Sequence, residues 1–176
     1  MCPSSRGCGR LEDPRGSPPE SGELQGVPFL ENELVVVVSP DHSLAARRVS
    51  FADLEGATWL LRENGSGTRT FVRNLLAEKG IRPPTMTIGS NGAIKQSVRA
   101  GLGVSLLPRQ AVVLELSMGL LTEVDLEDGM PLRRWYALYP KDGPGRPIIQ
   151  TFLQFLMGDV SRRAITESLV VPAAEA

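Results

Sequence analysis

The chain has 176 residues, of which 41% are hydrophobic and 22% are charged, so its composition is that of a globular protein and not of a disordered one. Its 19 Lys and Arg residues nearly balance its 20 Asp and Glu residues, and the net charge of −1 with only 5% aromatic residues argues against a dedicated nucleic-acid-binding domain. Two cysteines and one histidine are too few for a tetrahedral zinc site, and we expect neither a metal nor a cofactor.

The first 26 residues are predicted to form a disordered tail, because half of them are Gly, Pro or Ser and they carry no apolar periodicity. They contain no apolar stretch of the kind that a secretory signal needs. No run in the chain approaches the roughly 18 apolar residues of a membrane span. We therefore expect a cytoplasmic protein without membrane contact. Cys2 and Cys8 lie in this tail and are interpreted as exposed thiols, in preference to a metal-binding pair.

Beyond the tail, the sequence predicts strands and helices in alternation. The β-branched run Leu34–Val38 is typical of a strand buried on both faces. Ser50 is predicted to cap a short helix that ends near Leu54. Further strands are predicted at residues 58–61, 85–88, 104–107, 120–126 and 132–139, and helices at residues 68–79, 91–100, 108–118 and 147–157. This order predicts an α/β sheet of mostly parallel strands with flanking helices.

Residues 62–69, which read RENGSGTR, join a predicted strand to a predicted helix. In open α/β sheets, ligands bind beyond the carboxyl ends of the strands, where this loop should lie. Its glycines let the backbone approach a ligand, Ser66 and Thr68 offer hydroxyls, and the free N–H groups of the helix start favour an anion. The segment fits a carboxylate, phosphate or sulfate, and it equally fits a serine cap on a tight turn. It is not a P-loop, because no Gly-Lys-Ser/Thr follows at the required spacing.

Four other polar residues are candidates for a functional role. Ser90 and Asn91 can donate to a ligand, but both are standard helix-cap residues, and we favour capping. Arg109 follows a strand and could reach an anion, but we favour a solvated side chain. His42 is the single histidine, and it lies in a turn sequence without any Gly-x-Ser-x-Gly motif elsewhere, so we predict a surface turn residue and no catalytic activity.

Several segments together resemble one known family, the LysR-type transcriptional regulators. Residues 28–45 are similar to the strand and the P-x-H-P-L-A segment of that family. The segments GSGTR at 65–69 and VRAGLGVSLLP at 98–108 are similar to its effector-binding domain in order and spacing, and they carry the resemblance in combination. The similarity extends over about residues 27–158 and also includes residues 49–54, 59–62, 90–94 and 152–156.

The resemblance implies a periplasmic-binding-protein-like fold, in which two α/β lobes enclose a cleft, and it assigns this chain mainly to the second lobe. Residues 27–158 would then be a partial effector-binding domain, between the tail at 1–26 and a C-terminal tail at 159–176. By the same resemblance, a small anionic metabolite is the expected ligand. The residues implied to bind it are Ser66, Gly67, Thr68, Arg69, Ser90 and Asn91.

The resemblance also leads us to expect an N-terminally truncated regulator. The winged helix-turn-helix of the family has no counterpart in the sequence, so DNA would be bound only through a domain that is absent from this chain. Most of the first lobe has no counterpart either, and the last helix, which would pack on it, is expected to expose an apolar face or to find a substitute partner. A homo-oligomer is therefore one expected outcome.

Two alternative functions, from other classes of protein, are also compatible with the sequence. A solute-binding protein for an oxyanion such as phosphate or molybdate has the same fold and similar Ser-Gly-Thr loops, although the missing secretion signal counts against it. An enzyme on the same fold, such as a dehydratase of the aromatic amino-acid pathway, is the third reading. No acid/base pair or nucleophile in the sequence supports that enzyme.

Overall fold

The computed structural model describes residues 23–45, 47–143, 145–161 and 163. Within them, the α/β order predicted from the sequence is present. The strands are β1 Leu24–Asn32, β2 Leu34–Val38, β3 Arg48–Val49, β4 Trp59–Arg62, β5 Thr85–Ile88, β6 Ser105–Pro108, β7 Thr122–Glu123, β8 Asp125–Leu126 and β9 Arg133–Pro140. The helices are α1 Gly67–Glu78, α2 Asn91–Arg99, α3 Arg109–Ser117 and α4 Pro147–Met157, with a 3₁₀ turn at Ala52–Leu54.

A central sheet has the strand order β5–β4–β6–β2–β7. Strands β4 and β5 pair in parallel, and a parallel bridge between Trp59 and Val104 connects β4 to the start of β6. Strand β2 runs antiparallel to both β6 and β7. The α/β class is confirmed, but the pairing directions around β2 differ from the mostly parallel sheet that was predicted. A buried apolar run indicates that a strand is central, and it carries no information on the direction of its neighbours.

The core consists of two apolar clusters, one on each face of this sheet. Successive side chains of a strand point to opposite faces, and β2 divides in this way. Leu34, Val36 and Val38 pack in the cluster that contains α1. Val35 and Val37 pack in the cluster that contains α2 and α3. Each fully buried Val or Leu contributes roughly 1.5–3 kcal/mol to folding, so β2, which is buried along its whole length, anchors both clusters.

The connection between β4 and β6 depends on Gly103. The Val104 N–H donates to the Thr58 carbonyl at 2.9 Å, and the Leu60 N–H donates to the Val104 carbonyl at 2.8 Å. These bonds bring the two backbones so close that a Cβ on Gly103 would lie 2.1 Å from the Thr58 oxygen. Gly103 also has a φ of +157°. The pair β4–β5 is thus attached to the rest of the sheet at a position where only glycine fits.

Strands β1 and β9 form a separate antiparallel ribbon. Residues 24–26 lie in β1, with Gly26 opposite Leu138, although they were assigned to the disordered tail on the basis of their composition. Composition cannot reveal a cross-strand partner more than 100 residues away, and this is why the boundary was placed too late. Residues 1–22, which include both cysteines, lie outside the described part of the chain.

The C-terminal boundary also differs from the prediction. Residues 159–161, assigned to a tail, are helical. Ser161 is buried, and its hydroxyl lies 3.0 Å from the Leu156 carbonyl oxygen and 2.8 Å from the Gly158 carbonyl oxygen. Its single proton can serve either of these carbonyls, which the end of α4 would otherwise leave without a donor. Residues 164–176 lie outside the described part of the chain.

Helix α4 presents apolar side chains to solvent, which is one of the two outcomes expected for the last helix. Ile148 is 71% exposed, and Phe152 and Phe155 are each 56% exposed. Nowhere in the described ranges does a helix have the length and apolar character needed to span a membrane.

Two shorter predicted elements take a different form. The strand predicted at 120–126 is divided into β7, which pairs with β2, and β8, which pairs in parallel with β3. The helix predicted to start at Ser50 is a 3₁₀ turn. The Ser50 hydroxyl was predicted to accept a hydrogen bond from the backbone of this helix, but it acts as a donor instead. The Ser50 N–H and hydroxyl both donate to the Asp53 carboxylate at 2.8 Å, and these bonds hold the pKa of Asp53 below its usual range.

Candidate ligand-binding site

The loops that follow β4 and β5 open at the same edge of the sheet. The two strands are parallel neighbours, and Arg62 at the end of β4 pairs with Ile88 at the end of β5. Helix α1 begins four residues after the first loop opens, and α2 begins shortly after the second. The sheet therefore brings together the two segments that the sequence singled out, at the carboxyl ends of adjacent parallel strands.

The start of α1 offers hydrogen-bond donors that the protein does not use for capping. Ser66 occupies the N-cap position, but its hydroxyl makes no capping hydrogen bond. The Ser66 carbonyl accepts from the Thr70 N–H at 3.2 Å, so the N–H groups of Gly67, Thr68 and Arg69 have no acceptor within the helix. Gly65, with a φ of +92°, lets the loop turn into this geometry. One hydroxyl and three N–H groups thus lie at the positive end of α1, which suits an anion.

The start of α2 is capped in the ordinary way. The Ser90 hydroxyl accepts from the Ala93 N–H at 3.1 Å, which confirms the capping role that was favoured from sequence. Asn91 Oδ1 accepts from Arg62 Nη1 at 2.8 Å. Because the Arg62 guanidinium can only donate, this contact orients the amide so that its NH₂ group is the donor that Asn91 can offer to a ligand.

Arg62 connects the two loops, and sequence reasoning did not single it out. Its Nε and Nη2 donate to the two carboxylate oxygens of Glu63 at 2.8 and 2.7 Å, while its Nη1 reaches Asn91. This two-point contact is the strong geometry of an arginine–carboxylate pair. Its position as the last residue of a strand at the ligand edge is the signal that could have identified it.

The Arg62 contact holds the pKa of Glu63 down to about 2 and raises the pKa of the Arg62 guanidinium. Since the pKa of Glu63 is lower than its ordinary value of 4.5, the pair stabilises the fold above pH 4.5, and this contribution is lost as the pH falls towards 2. We predict that an NMR titration of the Glu63 carboxyl has its midpoint near 2 and that Arg62→Gln raises this midpoint towards the ordinary value of 4.5. The exposed change Arg99→Gln should leave the midpoint where it is. A midpoint near 4.5 in the unaltered protein would contradict the pairing.

Arg69 braces the edge of the sheet with its side chain. Its Nη1 donates to the Arg62 carbonyl at 2.7 Å and to the Thr87 hydroxyl at 2.9 Å, so it ties the end of β4 to β5. Its Nε is buried without a hydrogen-bond partner in the described residues. Nη1 of the guanidinium is therefore used within the protein, and the backbone N–H of Arg69 is a donor without an acceptor within the helix at the start of α1.

Two other polar residues lie away from this edge. Arg109 was expected to be solvated, and this is wrong, because its guanidinium contacts Glu33 at 2.7 Å and Glu123 at 2.6 Å. Desolvation disfavours its charge, but the hydrogen bonds to the two carboxylates outweigh this and raise the pKa of Arg109. Sequence could not reveal these partners, of which one lies in β7 and the other directly before β2. His42 lies in a turn as predicted, and its Nδ1 accepts from the Leu44 N–H at 3.2 Å.

Comparison with known proteins gives a consistent family match. A model of the LysR substrate binding domain matches residues 15–160. A RuBisCO operon transcriptional regulator from Allochromatium vinosum is 37% identical over 150 residues, which are 84% of this chain and 49% of that protein. The HTH-type transcriptional activator CmpR from Synechocystis sp. is 39% identical over 144 residues, which are 80% of this chain and 47% of that protein. The chain thus spans about half the length of the curated relatives it matches.

Solved structures give the same match at the level of the fold. The regulatory domain of Synechocystis PCC6803 CcmR, solved in complex with 2-PG, superposes with a TM-score of 0.74 at 37% identity, covering 81% of this chain and 69% of that one. The effector binding domain of QuiR, solved with shikimate, superposes with a TM-score of 0.68 at 22% identity, covering 78% and 66%, and it supports the fold alone.

Proposed function

Because the chain belongs to the LysR substrate binding domain family, we propose that it is the effector-sensing part of a transcriptional regulator and that it binds a small anionic metabolite at the starts of α1 and α2. The observation that carries this proposal is the unused hydroxyl of Ser66 beside N–H groups that have no acceptor within α1. The alternative of an oxyanion solute-binding protein has less support, because the curated relatives are transcriptional regulators.

The anionic character of the ligand is supported from two sides. The positive end of α1 and its free donors favour negative charge at this edge of the sheet. The CcmR regulatory domain, which is 37% identical to this chain, was solved with 2-PG. We infer that an anion of comparable size is the effector here, and 2-PG is the first compound to test.

Each residue has a proposed role in holding the anion. Ser66 and Thr68 would donate through their hydroxyls, and Gly67 through its backbone. Asn91 would donate through the amide that Arg62 orients. Ser90 and Arg69 would contribute by keeping the two loops in place, since the Ser90 hydroxyl is used as a cap and the Arg69 guanidinium as a brace.

We predict that Ser66→Ala combined with Thr68→Val lowers the affinity for the anion at least tenfold. A hydrogen bond to a charged group contributes about 1.5–3 kcal/mol, and 1.4 kcal/mol corresponds to a factor of ten. The measurement is isothermal titration with 2-PG, inorganic phosphate, sulfate and acetate, backed by thermal shift. A ligand at 100 times its Kd should add about 2.7 kcal/mol to the free energy of unfolding.

The matched control is Ser117→Ala combined with Thr151→Val, which also removes one serine hydroxyl and one threonine hydroxyl. Both residues are exposed, and each hydroxyl bonds to a carbonyl of its own helix. This variant should bind like the unaltered protein. Equal affinity in the Ser66/Thr68 variant and in the control would rule out the proposed site, and absence of binding to every anion in the set would rule out an anion site in this chain.

At the level of the whole regulator, we propose that effector binding changes the regulator's contact with DNA. A ligand does this by binding one conformation of the regulator more tightly than another. DNA would be contacted through a helix-turn-helix part, which lies outside the region where the relatives match this chain. The proposed setting is the cytoplasm, where a bacterial regulator meets both its metabolite and its DNA, and the proposed role is sensing and not catalysis.

A further inference from the structure

A cavity of about 550 Å³ lies between α1 and the edge strand β5, and its charged lining residues are all arginines. Arg69, Arg73 and Arg82 line it, and no Asp or Glu is among its lining residues. Leu61, Leu76 and Ile81 supply an apolar floor, and all three are buried. Neither Ser66 nor Ser90 lines this cavity, and Arg69 is the residue that it shares with the proposed effector site, so the cavity lies mainly along a different part of α1.

Among the described residues, no ion pair neutralises the three arginines of this cavity. Within the ranges that the structure describes, every cation in an ion pair is a residue other than these three arginines. Arg73 and Arg82 are exposed, and the single carboxylate contact at Arg82 goes from its backbone N–H to Glu55 at 3.2 Å. Arg69 uses Nη1 for the sheet edge, while its Nε is buried with no partner in the described residues.

The partial charge of the surrounding backbone does not cancel the positive charge of these side chains. The cavity extends along α1 to Gly80, beyond the end of the helix, where the macrodipole contributes about half a negative elementary charge. Three guanidinium groups contribute about six times as much charge of the opposite sign. The chain as a whole has a net charge of −1, so this is a local concentration and not a reflection of a basic protein.

We propose that this cavity is a second anion-binding site, which takes a small molecule with a phosphate or carboxylate group and a short carbon skeleton. Guanidinium groups match both oxyanions through two parallel N–H···O contacts. The apolar floor suits the carbon part of such a molecule. The volume of about 550 Å³ lies within the range of ordinary small-molecule pockets. The Thr85 hydroxyl, which also lines the cavity, is a further donor.

The first experiment is a titration with inorganic phosphate at low salt, followed by backbone NMR. Phosphate should shift the amides of Gly80, Ile81 and Arg82 with a saturable dependence on concentration. Added sodium chloride should weaken this binding, because exposed charges are screened. Phosphate that shifts only Gly67 and Thr68, at the start of α1, would overturn the proposal for the cavity and leave the proposed effector site standing.

The second experiment uses Arg73→Gln combined with Arg82→Gln, two substitutions at exposed positions. The phosphate affinity reported by Gly80 and Arg82 should fall at least tenfold. The control Arg99→Gln combined with Arg134→Gln removes the same charge from exposed positions elsewhere and should retain the affinity. An equal loss in the control, or no loss in the cavity variant, would overturn the proposal.

Two further variants separate this site from the proposed effector site and from simple charge attraction. Ser66→Ala with Thr68→Val should leave the shifts at Gly80 and Arg82 unchanged, and loss of those shifts would mean that the two sites are one. Arg73→Lys with Arg82→Lys keeps the charge but removes the planar pair of donors. It should bind phosphate more weakly than the unaltered protein and more tightly than the glutamine variant.

Discussion

Replacing Gly103 with alanine should destabilise the protein by about 3 kcal/mol, or roughly 6–12 °C in Tm. The new Cβ would lie 2.1 Å from the Thr58 carbonyl oxygen. That oxygen belongs to the backbone and accepts the Val104 N–H at 2.9 Å, so it cannot move away without breaking the bridge between β4 and β6. The φ of +157° adds a conformational penalty for any residue with a side chain.

The control for this variant is Gly101→Ala, two residues earlier. Gly101 also has a positive φ, +76°, but no atom lies within 4 Å of its added Cβ. Gly101→Ala should therefore lower the free energy of unfolding only by the penalty for a positive φ, about 1 kcal/mol. Urea unfolding of the two variants measures the difference. If Gly103→Ala were no less stable than Gly101→Ala, the steric account of the bridge would be wrong.

The same variant should also impair the proposed ligand site. Strands β4 and β5 carry the loops before α1 and α2, and the bridge at Val104 is where this pair joins the rest of the sheet. A shift of β4 relative to β6 would displace both loops. Where Gly103→Ala remains folded, we expect weaker binding of the anion as well.

Replacing Lys95 with methionine should lower the free energy of unfolding by about 2 kcal/mol, between the values for breaking an exposed ion pair and a fully buried one. Lys95 Nζ contacts Glu115 Oε1 at 2.6 Å and donates to the Ala111 carbonyl at 3.0 Å. The side chains of Lys95 and Glu115 are 22% and 18% exposed. The second carboxylate oxygen of Glu115 is already buried without a hydrogen-bond partner in the described residues, so removing Lys95 leaves the charge without compensation.

The double variant Lys95→Met, Glu115→Leu tests this explanation. It removes both charges, and it should recover most of the stability that the single variant loses. Equilibrium unfolding in urea gives both values. A single variant as stable as the unaltered protein, or a double variant no more stable than the single one, would contradict the account. Because this pair connects α2 to α3, it also fixes the helix that presents Asn91.

The helices of the proposed site could be predicted closely from the sequence. Helix α1 was predicted to begin at Thr68 and begins at Gly67. Ser90 or Asn91 was predicted to cap α2, and Ser90 is the residue that does so. Strand β5 was predicted with the bounds that it has. These features depend on side chains a few residues apart, such as a hydroxyl and the N–H three residues later, and such spacing is visible in a sequence.

The contacts of the site's arginines could not be predicted in this way. Arg62 donates to Asn91, which is 29 positions away, and Arg69 donates to Thr87, which is 18 positions away. Arg109 joins the carboxylates of Glu33 and Glu123, which are 90 positions apart. A long cationic side chain can reach any of several partners, and the sheet register selects which of them lies within reach.

By itself, the sequence determined which segments are buried, where the helices start and stop, and which loops follow strands, because periodicity and capping act within one or two turns of chain. Only the tertiary structure decided the rest. It set the antiparallel direction of β2, the pairing of β1 with β9, the close approach at Gly103 and the cavity that Arg82 shares with Arg73. These features depend on hydrogen bonds and contacts between segments distant in the chain, and the partner in each is selected by the packing of the whole sheet.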